Sequence, residues 1–194
     1  PLGTSALRTA AAPLERMMGP AHVVDVRDLV GTASFTAGKP AGPIVTRAIL
    51  ERHARTRPFR PGEAVLFQTG HTDRTFRPMP PLPEQDACLA MPLAGTAEGW
   101  PAVAADALAY LAEQGVGLIG TDAPSLSGVD PALAQQLDWF AASRELTVVA
   151  MLTGLEAIAD REAFFLFAPI KIAGTRGGYG RGLALVEPGP EPQP

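Results

Sequence analysis

His22, His53 and His71 are the only imidazoles in this 194-residue chain. Acid–base chemistry near neutral pH therefore rests on them, or on carboxylates held away from their ordinary values. His71 is the strongest candidate. It follows Thr69–Gly70 at the end of a short apolar run, with Asp73 two residues further on. A carboxylate beside an imidazole can orient the ring and raise its basicity, so the pair reads as a general base or acid. The plainer alternative is a solvated turn beside Arg74. Asp122, in the segment GTDAPS, closes a second apolar run. Burial would raise such a carboxyl into a useful range; otherwise its oxygens would accept nearby backbone N–H groups, as Asp does in turns. Ser125 in the same segment and Trp100 upstream are candidate substrate contacts, and nothing in the spacing gives Ser125 a base. His53 lies beside Arg52 and near Arg55 and reads as a surface residue. His22 opens an apolar run and reads as structural. Cys88, the single cysteine, reads as a small inert apolar residue.

These residues must be positioned by alternating strands and helices. Ala21–Val26 (AHVVDV) follows a Gly19–Pro20 break and is predicted to be a strand. Thr46–Arg57 spaces Ile49, Leu50 and His53 along one helical face. Glu63–Thr69 is a second strand whose almost continuous apolar run predicts burial on both faces. Gly70–Gly99 carries five prolines and little periodicity, so it is predicted to be a long functional loop. Pro101 opens a helix that Gly115 ends, followed by a strand at Val116–Gly120, a helix at Pro131–Arg144 and strands at Leu146–Leu152, Phe164–Phe167 and Gly182–Glu187. The order from Glu63 to Leu152 predicts an α/β fold with parallel pairing. Gly174–Gly180 (GTRGGYG) runs into a strand, so it lacks the helix N-terminus of a phosphate loop and reads as a turn.

Composition narrows the function classes. A net charge of −4 without any basic run speaks against a nucleic-acid partner. No apolar run approaches the ~20 residues that span a bilayer. A lone cysteine forms no internal disulfide and suits a reducing, cytoplasmic compartment. Residues 1–5 resemble the remnant of a cleaved tag, 6–187 a single domain, and 188–194, rich in Pro, Glu and Gly, a disordered tail.

Five segments in the same order resemble the cyclase family, the metal-dependent hydrolases that include bacterial kynurenine formamidases. PLERMMGP with VVDV at residues 13–20 and 23–26 is similar to the family's PLERLVGPAVVIDV. GEAVLFQTG at 62–70 is similar to GDAVLFRTG, and GVGLIGTDAPS at 115–125 to GVRLVGIDTPS. LTGLE at 152–156 is similar to LTNLEEL. APIKI at 168–172, a Gly-rich turn and Arg181 follow the family's LPLKI…GSPVRAVA, which makes Arg181 a candidate substrate contact. The resemblance implies a swivelling β/β/α domain with a mixed sheet and flanking helices, and a homodimer or homotetramer.

It also implies a metal-activated water, and here this chain departs from the pattern. The family's His-x-Gly-Thr-His-x-Asp-x-Pro-x-His motif precedes the PLER stretch, yet no His, Asp, Glu or Cys occurs before Glu15. The family's further His and Glu fall at Asp138 and Ala150. The expectation is therefore a homologue with no metal and no cofactor, acting on a small organic substrate by acid–base chemistry from His71, Asp73 and Asp122. The chemistry would be a cyclisation, a dehydration or the hydrolysis of an amide or lactone. Its rival is a catalytically silent relative that binds a ligand or a partner protein.

Overall fold

A computed structural model describes residues 13–33, 41–78, 82–175 and 177–187. The proposed tag remnant and the C-terminal tail lie outside the described residues. Six strands form one curled mixed sheet in the order β6-β5-β3-β1-β7-β8. They are β1 (Met18–Asp25), β3 (Ala64–Gln68), β5 (Leu118–Thr121), β6 (Thr147–Val149), β7 (Ala163–Pro169) and β8 (Gly180–Val186). β1, β3, β5 and β6 run parallel, in registers that pair Val24 with Phe67, Phe67 with Thr121 and Ile119 with Val148. β7 pairs antiparallel with the start of β1 and β8 antiparallel with β7. A small parallel pair, β2 (Ile44–Val45) and β4 (Ala102–Val103), stands apart. This is the swivelling β/β/α architecture with helices flanking a mixed sheet.

Every residue of β3 is buried, because the sheet has a core on each side and alternation has nothing to report. Val24, Val65, Phe67 and Ile119 face α1 (Arg47–Ala54), α4 (Ala105–Glu113) and α5 (Pro131–Ser143), meeting Leu50, Leu108, Leu111 and Leu137. Each such side chain contributes about 1.5–3 kcal/mol on full burial. The opposite face, with Ala21, Val23, Leu66 and Leu118, is covered by Leu152, Leu155, Ile158 and Phe165 of β7. α5 begins where Pro131 sits at its first turn and the Asp130 carboxylate accepts from the Ala132 N–H at 2.8 Å.

Three local expectations are corrected. Gly19–Pro20 does not break the chain before β1 but lies inside it. The strand pairs with β7 over Met18–Pro20 and with β3 only from Ala21, so the N–H that Pro20 lacks falls where the pairing changes sides. Gly19 is required there, since a Cβ would stand 2.2 Å from the Gly62 carbonyl oxygen. Pro101 does not open a helix: Ala102–Val103 pair with Ile44–Val45, and α4 starts at Ala105. The Pro-rich segment is not structureless either. It holds α2 (His71–Thr75) and α3 (Ala90–Ala94), the latter initiated by Asp86, whose carboxylate accepts from the N–H groups of Cys88, Leu89 and Ala90 at 3.0–3.2 Å.

Candidate active site at the carboxyl ends of the parallel strands

β3 and β5 are neighbours in the sheet, and both end at the same edge, where open α/β sheets place their ligands. β3 runs into Thr69, then Gly70 in the left-handed region at φ 68°, then α2, which His71 opens. β5 runs into Asp122, which is fully buried. Its carboxylate accepts from the Thr69 N–H at 2.8 Å, the Gly70 N–H at 2.6 Å and the Thr69 hydroxyl. The Asp122 carbonyl accepts from the Thr72 N–H. Burial pushes the Asp122 carboxyl above its ordinary range, and the donors from Thr69 and Gly70 pull it back. Both oxygens are occupied. Asp122 is a clasp that ties the end of β3 to the end of β5, which is the backbone-accepting alternative noted for it.

His71 is also buried. Its Nε2–H donates to the Cys88 carbonyl at 2.9 Å, and its backbone N–H donates to Thr69 Oγ1. The Nε2 bond fixes the neutral tautomer and leaves the Nδ1 lone pair without a partner among the described residues. The only sealed and unpartnered side-chain polar atom among the described residues is Gln68 Oε1. Burial lowers the His71 pKa, the Arg74 charge adds to this, and the Cys88 bond and the Asp122 and Asp86 charges oppose it. The ring is therefore an uncharged base at neutral pH. Trp100 walls the site, its ring centroid 5.6 Å from that of His71. The Trp100 Nε1–H donates to Ser125 Oγ at 3.1 Å, and Ser125 Oγ lies 3.0 Å from Ser127 Oγ and 3.2 Å from the Gly128 carbonyl oxygen. None of these partners is a base, so Ser125 positions Trp100 and forms no triad.

His71, Asp122, Trp100 and Ser125 thus gather at one sheet edge, whereas two other candidates stand away from them. Asp73 does not orient His71. Its exposed carboxylate accepts from the Gly154 N–H at 3.2 Å, because helical geometry turns a side chain two residues on away from its neighbour. Arg181 lies exposed on β8 and lines a cavity of about 320 Å³ with Leu152–Leu155, a cavity lined by none of the four. Cys88 is buried, and burial raises its thiol pKa, so it is not a thiolate. Gln68 was missed by sequence reasoning. The available signal was a polar residue closing the otherwise apolar run of β3.

His53 is not a free surface residue. The His22 Nδ1–H donates to Glu63 Oε2 at 2.8 Å, so its Nε2 must accept, and the His53 Nε2–H supplies the proton at 2.9 Å. Both rings pack on Phe59, and Arg57 and Arg60 bring positive charge. Burial, the leading cause, lowers both imidazole pKa values. With folded values below the unfolded 6.5, the unfolded chain binds more protons, and stability falls as pH drops below about 6.5. His22→Val with His53→Leu should flatten this dependence in urea titrations across pH 5–7. An unchanged slope would show that carboxylates carry it.

Residues 3–127 match the family model Cyclase. The chain belongs to the cyclase family. Among solved structures, the fold is similar to that of an isatin hydrolase bound to the product analogue thioisatinate, at 20% identity and TM-score 0.74 over 92% of this chain and 64% of that one. It is seen again with isatin hydrolase A from Ralstonia solanacearum, at 23% identity and TM-score 0.71 over 94% and 65%. A potential metal-dependent hydrolase with cyclase activity aligns at 20% identity and TM-score 0.59 over 92% and 69%. At these identities the likeness speaks to the fold. No curated protein matches, and the chain spans just under two thirds of the length of the two isatin hydrolases.

The metal associated with such cyclases does not fit the described residues. Asp138 is exposed on α5, and Ala150, just beyond β6, offers no donor atom. Among the described residues no group of three or more His, Cys, Asp or Glu side chains converges as an ion requires. The residues ahead of Pro13 lie outside those described. Among the described residues, no helix is long and apolar enough to cross a membrane.

Proposed function

We propose that this cyclase-family chain acts on a small organic carbonyl compound by metal-free acid–base chemistry, with His71 as the general base. The observation that carries this reading is the single-bonded His71 ring: Nε2–H is tied to Cys88, Nδ1 has no partner among the described residues, and the ring centroid stands 5.6 Å from that of Trp100. In amide or lactone hydrolysis, the water oxygen bonds to the carbonyl carbon while Nδ1 takes the water proton. That proton passes to the leaving nitrogen or oxygen as the carbonyl carbon–heteroatom bond breaks. The Cys88 carbonyl holds the ring in place while it is charged, and Trp100 offers an apolar wall. Cyclisation or dehydration would use the same base in the same protonation state. The isatin hydrolases among the structural neighbours make a small carbonyl substrate the first class to try.

The second reading is a silent relative that binds without turnover. It is favoured by Asp122 and Ser125, whose oxygens are already used inside the protein.

Turnover should be sought with a panel of cyclic amides, lactones and N-acyl aromatic amines, before and after dialysis against a chelator. We expect turnover of at least one of them, retained after chelation, in protein with far less than one zinc or manganese per chain. About one ion per chain, with activity lost on its removal, would overturn the metal-free reading and restore a metal-bound water. Binding without turnover across the panel would support the silent reading.

A further inference from the structure

The starts of β1 and β3 lie at the opposite end of the parallel strands from His71, and beside them opens a cavity of about 550 Å³. It shares no lining residue with the candidate active site. Its apolar wall is a row of three paired residues, Pro20 on β1, Phe164 on β7 and Leu185 on β8. Residues paired across strands share a face, and on it Phe164 and Leu185 stay 39% and 66% exposed. Arg57, Arg60, Glu162 and Glu187 line the same cavity, and none of them forms an ion pair among the described residues. The two arginines are anchored. Arg57 Nη2–H donates to the Ala21 carbonyl at 3.0 Å, and the Arg60 backbone N–H donates to the buried Glu63 carboxylate at 2.9 Å. Glu162 and Glu187 stand one residue beyond Ala163 and Val186, the terminal pair of the β7–β8 ladder. Like charges so placed oppose each other, and Arg161 bonds only the Glu187 carbonyl oxygen.

We propose that this cavity binds a small amino acid with an aliphatic side chain, at a site separate from the candidate active site. The ammonium supplies the cation that Glu162 and Glu187 lack. The carboxylate accepts from Arg57 and Arg60, whose guanidinium forks match its geometry. The aliphatic side chain covers the Pro20–Phe164–Leu185 row. A lone anion would leave the two glutamates unanswered, and a lone cation the two arginines, so a zwitterion fits where neither does. A cavity of this volume suits a small molecule, and anchored arginines lose little freedom when they bind one.

Calorimetric titration of the full chain with L-leucine should show saturable binding of one molecule per chain. The analogue 4-methylpentanoate lacks the ammonium, and 3-methylbutylamine lacks the carboxylate. Each should bind roughly tenfold more weakly or worse, the usual worth of a hydrogen bond to a charged group. Arg60→Gln should weaken L-leucine and shrink its advantage over 3-methylbutylamine. Glu162→Gln should weaken it and shrink its advantage over 4-methylpentanoate. Both side chains are exposed, so the circular dichroism spectrum of either variant should match the wild type. Absence of saturable L-leucine binding overturns the proposal. Equal affinity for the single-charge analogues, or L-leucine binding undiminished in both variants, overturns it as well.

Discussion

Replacing His71 by Ala is expected to slow turnover by ~10²–10⁴-fold, the usual worth of general acid–base assistance. The ring is buried and bonded to Cys88, so the variant also loses stability, by about 1–3 kcal/mol for the unsatisfied carbonyl. His71→Gln separates the two effects, since its amide N–H₂ can still donate to the Cys88 carbonyl but offers no base. It should fold like the wild type and be as slow as the Ala variant. Added imidazole should partly restore the Ala variant, which has room for it, and should not help the Gln variant. The wild-type kcat/KM should fall on acidification with an apparent pKa below 6.5, the direction in which burial moves His71, and that limb should vanish in both variants. Full activity of His71→Gln would remove His71 from the chemistry.

Asp122→Ala is expected to be the most destabilising single change at the site. It leaves the Thr69 and Gly70 N–H groups and the Thr69 hydroxyl facing a cavity. A buried group left without its partner costs roughly 1–3 kcal/mol, so three of them, partly relieved by water, should cost at least ~3 kcal/mol in urea unfolding. Asp122→Asn should fall in between. Its oxygen can keep the two Thr69 donors, but its amide N–H₂ would face the Gly70 N–H, donor against donor. If Asp122→Ala unfolds like the wild type and only turnover is lost, Asp122 is an acid–base group after all. The expected order is the reverse: stability first, and turnover only as far as α2 and His71 are displaced.

The two variants separate functions that the sequence makes look alike. His71 and Asp122 each follow an apolar run, and each reads as a rim residue. In the structure one keeps a lone pair open while the other has both oxygens filled. The difference lies in partners away along the chain: Cys88 for His71, 17 residues apart, and Thr69 with Gly70 for Asp122, 52–53 residues apart. No local pattern announces such partners, because they depend on the β3–β5 register and on how Asp86 shapes the segment before α3.

By itself the sequence determined the parallel core and its lineage. The apolar runs at Val23–Val24, Ala64–Phe67 and Leu118–Ile119 are dense enough to be strands in any packing. The helices between them leave parallel pairing as the short solution, and five ordered motifs named the family that the match over residues 3–127 establishes. Only the tertiary structure decided what the polar residues do. The helical geometry of α2 carried Asp73 away from His71 to the Gly154 N–H. The close approach of Gly19 to Gly62 let β1 extend through Pro20, and the face of α1 turned His53 inward to meet His22, whose other ring nitrogen meets Glu63. Hydrophobic burial is nearly additive along a chain, so its pattern is legible locally. A hydrogen bond needs both partners within about 3 Å and in line, and for residues dozens of positions apart only the folded register brings that about.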